Sequence, residues 1–472
     1  MKYAAITFAV VLATLAKVGA LLAQQPASPP APPPTSLDFE FYRAAVEPIL
    51  LAKRPGHVRC TTCHVRGAGQ LRLQPLTGGA TSWNEEQSRQ NLQALQRFVV
   101  PGSPLTSRLL KHPLARAAGG DAFHGGGKHW ASQDDAEWQI LAAWVRGDKA
   151  LAPLATKVRI IQTNAAGDDT HVIDPATNTV VGVITDIEVP HGVTSAPDGS
   201  RLYLSDESLE TLDVVDARTL RVTHRIGLSG RPNNVAISND GRKVYVGIAQ
   251  GSGAVDVIDT STLLNVKSIP VKGAVHNVYV TPDGKFVVSG SIGARTISII
   301  DAVSETLTRT IAMTAGIRPM AFDTHPDGTT RNIYVQLSDF HGFAVVDFAS
   351  GKEIARIEHP VIPGVEAHTD GLQTAPAHGL AITPDGTSLW STSKVYGYAY
   401  VHALPDLKEV GRVFVGQHPE WLTFTPDGKL AYVAAAGDNM VFVIDTKSLK
   451  EVARIPVGQV PKRNATALLQ SR

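Results

Sequence analysis

The distribution of apolar and polar residues divides the chain into a periodic C-terminal part and an N-terminal part without that period. From Lys157 onward, short runs of alternating apolar and polar residues are separated by Asp-Gly turns. Each period contains four such runs, for example "NNVAIS", "KVYVGI", "AVDVID" and "VKSIPV". The turn "PDG" or "NDG" recurs with its aspartate at Asp198, Asp240, Asp283, Asp327, Asp385 and Asp427. Four strands in about forty to forty-five residues are typical of a β-propeller blade, and the repeats predict seven blades.

A second marker ends the third strand of each repeat. Alternating apolar residues finish with an aspartate in "THVID", "LDVVD", "VDVID", "ISIID", "FAVVD" and "VFVID", whereas the equivalent "YAYVHALPD" carries Ala403. The first repeat, from "KVRIIQTN", lacks an innermost strand, and the chain ends with one extra strand-like segment, "NATALLQ". We expect these two segments to pair, because their pairing closes the ring and removes its exposed edges.

The N-terminal part has a helical period. It predicts helices over residues 38–52 and 85–99, and a third helix that begins with Ser132 as its N-cap and packs across the first. The pattern therefore predicts a small all-α domain over residues 38–150. An all-β seven-bladed propeller is predicted over residues 155–472.

The first residues indicate export. A short apolar run follows Met1 and Lys2 and leads to small residues near Ala23, which predicts a signal peptide over residues 1–23. An uncleaved N-terminal anchor is the alternative, and no other membrane span is predicted. Residues 24–37 are rich in proline and predict an extended linker. We therefore expect the protein in the periplasm or outside the cell.

Charge narrows the choice of partners. The chain has 44 basic and 43 acidic residues and a net charge of +1, which gives no reason to expect binding to nucleic acid or to an anionic membrane surface. Its hydrophobic content of 43% is ample for buried cores in two domains.

The only two cysteines, Cys60 and Cys63, are followed directly by His64 in the segment "CTTCH". A disulfide across two residues would be strained, a structural zinc site needs more ligands at short spacing, and a thioredoxin-like pair needs a βαβ context. Cys-x-x-Cys-His is the attachment pattern of c-type haem, in which both thiols bind the porphyrin and the histidine lies under the iron. We predict one covalent haem c and a redox partner protein or a small-molecule electron donor or acceptor.

Residues 41–147 resemble the planctomycete-type cytochrome c domains, with "CTTCH" as the specific part of the match and the last predicted helix as a softer part. Cytochromes c commonly use methionine as the second axial ligand, but these residues contain none. A histidine must serve, or the sixth position is open. Among His112, His124 and His129, the segment "FHGGGKHW" favours His124 and then His129, because its glycines allow close approach to a flat macrocycle. The alternative is that these two are polar loop residues.

One register of the innermost strands is rich in metal-ligand residues. The residue seven positions before each turn aspartate lies at one mouth of the propeller. These residues are His191, Asn233, His276, Met320, His378 and Glu420, with Lys462 added by alignment. Histidine, methionine and glutamate predict a second metal there, such as copper or iron, or a polar substrate. The alternative is that each histidine hydrogen-bonds a neighbouring blade or water in the channel.

An insertion at residues 358–378 lengthens one repeat on the mouth side. We expect its residues His359, His368 and Asp370 to fold over the opening, and His341 to lie at a strand turn on the same face.

The repeats resemble the YVTN family of seven-bladed propellers, through lines such as "VGQHPEWLTFTPDGKLAYVAAAGDNMVFVIDTKSLKEVARIPVG". The resemblance implies the fold but not one function, because such propellers occur in lactonases, binding scaffolds and redox enzymes. We predict electron transfer to or from a substrate, metal site or partner at the propeller mouth. A non-catalytic binding platform and a lactonase-like metal hydrolase are the alternatives.

Overall fold

The structure is a computed structural model that describes residues 37–54, 57–65, 70–76, 82–148 and 156–470. The predicted signal peptide and nearly all of the predicted linker lie outside these residues. The chain divides into two compact units, Met1–Leu151 and Ala152–Arg472. Within the described ranges, none of the helices has the length and apolar character needed to cross a membrane.

The described part of the first unit is built from helices. They are α1 (Phe39–Phe41), a π-helical turn (Tyr42–Val46), α2 (Glu47–Leu51), α3 (Cys60–His64), α4 (Glu85–Gln96), α5 (Arg108–Lys111), a 3-10 turn (Arg116–Ala118) and α6 (Ala136–Arg146). Helix α6 packs across the first helical segments, as expected. The Trp144 indole nitrogen donates to the Asp38 carbonyl oxygen at 2.9 Å, and its ring lies 5.9 Å from that of Tyr42.

Three of the described helices in this unit begin with side-chain caps, and Asp38 caps α1. Asn84 forms a capping box with Gln87 at the start of α4. The prediction that Ser132 caps the last helix is wrong, because the Asp135 carboxylate accepts from the first backbone N–H groups of α6. Ser132 instead accepts from the backbone N–H of Asp134 in the preceding turn. A carboxylate at an N-cap also interacts favourably with the helix dipole, which favours Asp135 over a serine.

The second unit is a seven-bladed β-propeller, as predicted. Its 28 strands, β1 to β28 in chain order over residues 156–470, form seven antiparallel four-stranded sheets. The innermost strands are β4 (Pro190–Ser195), β8 (Pro232–Ile237), β12 (Val275–Val280), β16 (Ile317–Thr324), β20 (Ala377–Ile382), β24 (Pro419–Phe424) and β28 (Pro461–Gln470). The second strands are β1 (Thr156–Asn164), β5 (Arg201–Asp206), β9 (Lys243–Ile248), β13 (Phe286–Ser291), β17 (Thr330–Leu337), β21 (Ser388–Ser393) and β25 (Leu430–Ala435).

The two outer positions of each blade follow the same order. The third strands are β2 (Thr170–Asp174), β6 (Thr211–Asp216), β10 (Ala254–Asp259), β14 (Thr296–Asp301), β18 (Gly342–Asp347), β22 (Tyr398–Ala403) and β26 (Met440–Asp445). The outermost strands are β3 (Thr179–Ile184), β7 (Arg221–Gly227), β11 (Leu264–Pro270), β15 (Thr306–Ala312), β19 (Glu353–Glu358), β23 (Glu409–Phe414) and β27 (Lys450–Pro456). The middle strands are buried on both faces, whereas most outermost strands alternate or are largely exposed, as expected at the rim of a disc.

The ring closes through the two ends of the propeller. Strand β28 pairs antiparallel with β1, with Val158 opposite Leu468 and Ile160 opposite Thr466. Each innermost strand contacts the innermost strands of the blades on either side, so that β28 contacts both β24 and β4. The predicted pairing of the first and last segments is confirmed, and it gives the first blade its innermost strand.

The repeated Asp-Gly turns have a local cause. In the first of them, Oδ1 of Asp198 accepts from the backbone N–H of Ser200 at 3.0 Å, and Gly199 adopts a φ of +71°. The side-chain acceptor closes the turn, and glycine takes the left-handed conformation without strain. The same hydrogen bond recurs at Asp240, Asp283, Asp327, Asp385 and Asp427.

Candidate functional site

A cavity of about 300 Å³ lies in the helical unit. Helix α3 contributes Cys60, Cys63 and His64 to its wall, and the segment before α6 contributes His124 and His129. Cys60 and His64 are four residues apart and therefore lie on the same side of α3, with Cys63 beside them. Most of the other lining residues are apolar. Such a cavity suits a largely hydrophobic group that is fixed by a few polar contacts.

Two imidazoles of this wall lie opposite each other. The rings of His64 and His124 have centroids 6.4 Å apart and planes within 18° of parallel. Nδ1 of His64 lies 3.3 Å from the carbonyl oxygen of Leu71, and Nδ1 of His124 lies 2.6 Å from that of Gly127. A carbonyl oxygen only accepts, so each Nδ1 carries the proton and each Nε2 carries the lone pair. An ion with an imidazole nitrogen about 2 Å away on either side separates the ring centroids by roughly 6 Å.

The segment around His124 is held in place by its backbone. Gly127 adopts a φ of +86°, which allows the turn that brings its carbonyl oxygen to His124. On the far side of the turn, the ammonium group of Lys128 donates to the His112 carbonyl oxygen at 2.8 Å. The His129 backbone N–H donates to the Pro113 carbonyl oxygen, also at 2.8 Å.

Two further histidines lie next to His124 and are arranged differently. His112 directs Nδ1 at the Asp121 carboxylate at 3.0 Å, and its ring meets that of His124 edge-on at 4.9 Å. The ring of His129 is 5.8 Å from that of His124 at a steep angle. Nδ1 of His129 is buried without a hydrogen-bond partner among the described residues. Burial, assisted by nearby Arg54, lowers the pKa of His129 to about 4, so this ring is neutral.

The two thiols lack the features of a redox-active pair. Cys60 and Cys63 are not bonded to each other. Burial raises the pKa of the Cys60 thiol, and the opposing effect of Arg54 is smaller. Reactive dithiol sites depend on a lowered thiol pKa. The arrangement therefore does not favour a thioredoxin-like site.

The predicted residues of the propeller mouth occupy one register of the innermost strands, and several of them are in contact. The rings of His276 and His378 have centroids 6.0 Å apart. Nδ1 of His378 donates to the Glu420 carbonyl oxygen at 2.6 Å. His191 and His378 are buried, and His276 is partly buried. Burial and neighbouring cations lower the pKa of each imidazole well below its ordinary value. These imidazoles are therefore neutral.

Glu420 is at the centre of a buried ion-pair cluster. Its Oε1 lies 2.7 Å from Nζ of Lys394 and 3.2 Å from Nζ of Lys462, and the side chains of Glu420 and Lys394 are only 4% and 1% exposed. Burial alone would raise the pKa of the Glu420 carboxyl, but Lys462 and Lys394 outweigh burial and hold it below its ordinary value. The carboxylate is therefore charged and occupied by two ammonium groups.

Arg463, the residue after Lys462, completes the mouth. Its Nε donates to Nδ1 of His191 at 3.2 Å, and its Nη2 donates to Oδ1 of Asn233 at 2.7 Å. The guanidinium carbon lies 4.3 Å from the centroid of the Trp421 ring. Arg463 thus connects two of the predicted mouth residues.

Other predicted site residues are placed elsewhere. Met320 is 2% exposed and packs in an apolar cluster with residues such as Ile317, so its thioether is not grouped with the mouth imidazoles. His341 hydrogen-bonds Ser393 through Nε2 at 2.7 Å. His359, expected over the opening, is buried within a blade, where its ring stacks on Tyr400 at 4.3 Å.

The insertion does approach the mouth through its later residues. The ring of His368 lies 6.2 Å from that of His418, and both His368 and Asp370 act electrostatically on His418 together with Lys394 and Glu420. Across the part of the chain that the structure describes, no three His, Cys, Asp or Glu side chains are grouped to hold a metal ion. The second metal at the mouth stays a prediction.

Sequence reasoning missed Arg463, Trp421 and Lys394. The first two directly follow predicted mouth residues, so reading the next position of the same strands would have found them. Lys394 directly follows the second strand β21, at the place that Glu207 has after β5, and no sequence pattern marks it.

Neither a protein-family model nor a curated protein matches the chain. Among solved structures, hydrazine synthase of Kuenenia stuttgartiensis is similar, with a TM-score of 0.54 and 23% identity over 63% of this chain and 94% of that chain. The periplasmic gluconolactonase of Pseudomonas aeruginosa gives a TM-score of 0.55 and 19% identity, over 66% and 100% of the two chains. At these identities the likeness shows the propeller fold alone.

Proposed function

We propose that the protein is an exported c-type cytochrome joined to a YVTN-type propeller, and that it transfers electrons to or from a substrate, metal site or partner at the propeller mouth. One observation carries the proposal. His64 and His124 lie opposite each other at a distance that suits one iron ion, in a cavity whose wall also holds Cys60 and Cys63. This combination fits a covalent haem with two imidazole ligands.

Each residue of the cavity has a distinct part in this proposal. Cys60 and Cys63 would form the two thioether bonds, and His64 and His124 would hold the iron, with His129 as the second candidate for the place of His124. A haem held in this way supplies one-electron transfer. Two imidazoles give a lower reduction potential than a histidine and a methionine.

Backbone carbonyl groups next to the two proposed ligands affect their tautomer and their basicity. The carbonyl oxygens of Leu71 and Gly127 fix the tautomers of His64 and His124 and make both ligands more basic. The apolar residues of the wall limit the access of water, which is a second control on the potential.

The sequence of residues 1–23 supports export to the periplasm or beyond. A protein with balanced charge and a haem is expected to meet a redox protein or a small electron donor or acceptor, and not nucleic acid.

The test is to produce the full chain in bacteria that carry a c-type haem maturation system. We expect a coloured protein with one haem per chain that stays attached on a denaturing gel. Cys63→Ser should abolish the two-bond attachment and change the pyridine haemochrome spectrum, whereas the neighbouring Thr62→Ser should leave it unchanged. A colourless wild-type protein, or an unchanged haemochrome in Cys63→Ser, would refute the attachment.

Elemental analysis of the same preparation tests whether the propeller mouth holds a metal ion. Iron in excess of one haem, or tightly held copper, would support a second redox metal. A tightly held divalent metal without redox activity would favour the metal hydrolase, and haem iron alone would favour the binding platform.

A further inference from the structure

Arg463 is a buried cation whose hydrogen-bond partners are all neutral. Its side chain is 2% exposed, and it donates to the imidazole of His191 and the amide oxygen of Asn233. Its third nitrogen, Nη1, is buried without a hydrogen-bond partner among the described residues. Burial lowers the pKa of Arg463 to about 10, so the group remains charged near neutral pH. A buried charge without a counter-ion is costly, and such groups are normally paired.

The neighbouring carboxylates are already engaged. Glu420 pairs with Lys394 and Lys462. Glu207 lies 3.8 Å from the half-exposed Arg231, and burial raises the pKa of the Glu207 carboxyl. The mouth thus carries more buried positive than negative charge, because its histidines are neutral.

A second donor lies on the same cavity. A space of about 420 Å³ runs along the innermost strands and is lined by Arg463, Trp421, Tyr279 and Asn234, among others. The Tyr279 hydroxyl oxygen accepts from the Met320 backbone N–H at 3.0 Å, which leaves its own proton for donation. Burial raises the pKa of Tyr279 to about 12, so the phenol keeps that proton.

We propose that the mouth end of this cavity binds a small planar oxyanion, a carboxylate or an inorganic ion of the same shape, through Nη1 of Arg463 and the hydroxyl of Tyr279. The anion supplies the missing counter-charge, and the Trp421 ring holds the guanidinium group from one face. A charged hydrogen bond in a desolvated site is stronger than a neutral one. The site is built from propeller residues only and does not require the proposed haem.

The test measures anion binding to the full chain at constant ionic strength, with chloride as the reference salt. Sodium acetate and sodium gluconate probe an organic carboxylate, and sodium nitrite probes an inorganic oxyanion. We expect the melting temperature of the propeller to rise saturably with at least one of them, since a ligand that binds only the folded state stabilises it. The anion that does so identifies the source of the ligand.

Variants locate the binding. We expect affinity to fall by about tenfold or more in Arg463→Gln, and by a smaller factor in Tyr279→Phe. Arg454→Gln is the matched control, because Arg454 also stacks on an aromatic ring, Phe442, but is exposed and paired with Glu451. No saturable shift with any probe, or unchanged affinity in both folded variants, would overturn the proposal. If Arg463→Gln does not fold, unchanged affinity in Tyr279→Phe is the contradicting result.

Discussion

The helical cavity and the propeller mouth both gather histidines, but several of these imidazoles differ in what their Nδ1 atom contacts. In the cavity, His64 and His124 are half-buried, stand opposite each other and have both Nδ1 atoms on backbone carbonyl oxygens. In the mouth, Nδ1 of His191 accepts from Arg463, and that of His276 accepts from the Asn277 amide at 2.7 Å. Both cavity imidazoles therefore donate through Nδ1, as His378 does in the mouth, whereas His191 and His276 accept through Nδ1.

The propeller mouth also differs from the helical cavity in its buried charged residues. The mouth holds Lys394 and Arg463 in buried positions and Lys462 in a partly buried one, and the Glu420 carboxylate is engaged by the two lysines. A metal cation would meet repulsion there, whereas an anion would be attracted. A cluster of histidines is therefore not sufficient evidence for a metal, and the partners of each ring decide what it can bind.

The largest expected effect of a single substitution on stability is at Glu420. Glu420→Gln leaves the fully buried Lys394 without its carboxylate, and we expect the free energy of unfolding of the propeller to fall by about 3–5 kcal/mol. His112→Ala in the helical unit removes a half-exposed pair with Asp121 and should cost less than about 1 kcal/mol. Urea unfolding followed by far-ultraviolet circular dichroism measures both. Equal losses of stability in the two variants would contradict the claim that the buried ion pair contributes more than the half-exposed one.

Acidification is expected to act on the propeller through buried neutral histidines. Burial lowers the pKa of His341 and of His402 to about 4 in the folded chain, from about 6.5 when unfolded. Between these values the unfolded chain binds more protons, so stability is full above pH 6.5 and is lost as the pH falls towards 4. Melting temperatures over this range should decline, and less steeply in His341→Gln and His402→Gln. A melting temperature of the wild-type protein that does not change between about pH 6.5 and pH 4 would refute this pH dependence.

A smaller effect than that of Glu420→Gln is expected at a helix end outside the cavity lining. Asn84→Ala removes the capping box of α4 and should lower the stability of the helical unit by about 1 kcal/mol. Because Asn84 does not line the cavity, the visible spectrum of the haem-loaded protein should not change. A changed spectrum would show that the proposed ligand geometry depends on overall helix stability.

The propeller was predictable because its turn chemistry repeats. The Asp-Gly turns and the aspartates that end the third strands are local devices, and the sequence displays each of them in six of the seven blades. The closure of the ring followed from one unpaired strand at each end. The N-cap of the last helix was less predictable, since Ser132 and Asp135 both have suitable side chains and only the backbone path chooses between them.

The contents of the mouth could be predicted only in part. His276, His378, Glu420 and Lys462 lie in one register of the innermost strands, but a register does not give the direction of each side chain. Met320 therefore packs in an apolar cluster although its position matches the others. Lys394 comes from the turn between the second and third strands of its blade, and its burial depends on a partner on the next blade.

The most direct measurement is the visible and electron paramagnetic resonance spectrum of the haem-loaded protein in its wild-type form and in His124→Ala and His112→Ala. The account predicts a low-spin, six-coordinate iron in the wild-type protein and in His112→Ala, and a high-spin iron in His124→Ala with the haem still covalently attached. A low-spin spectrum that survives His124→Ala would contradict the assignment of His124 as the ligand opposite His64.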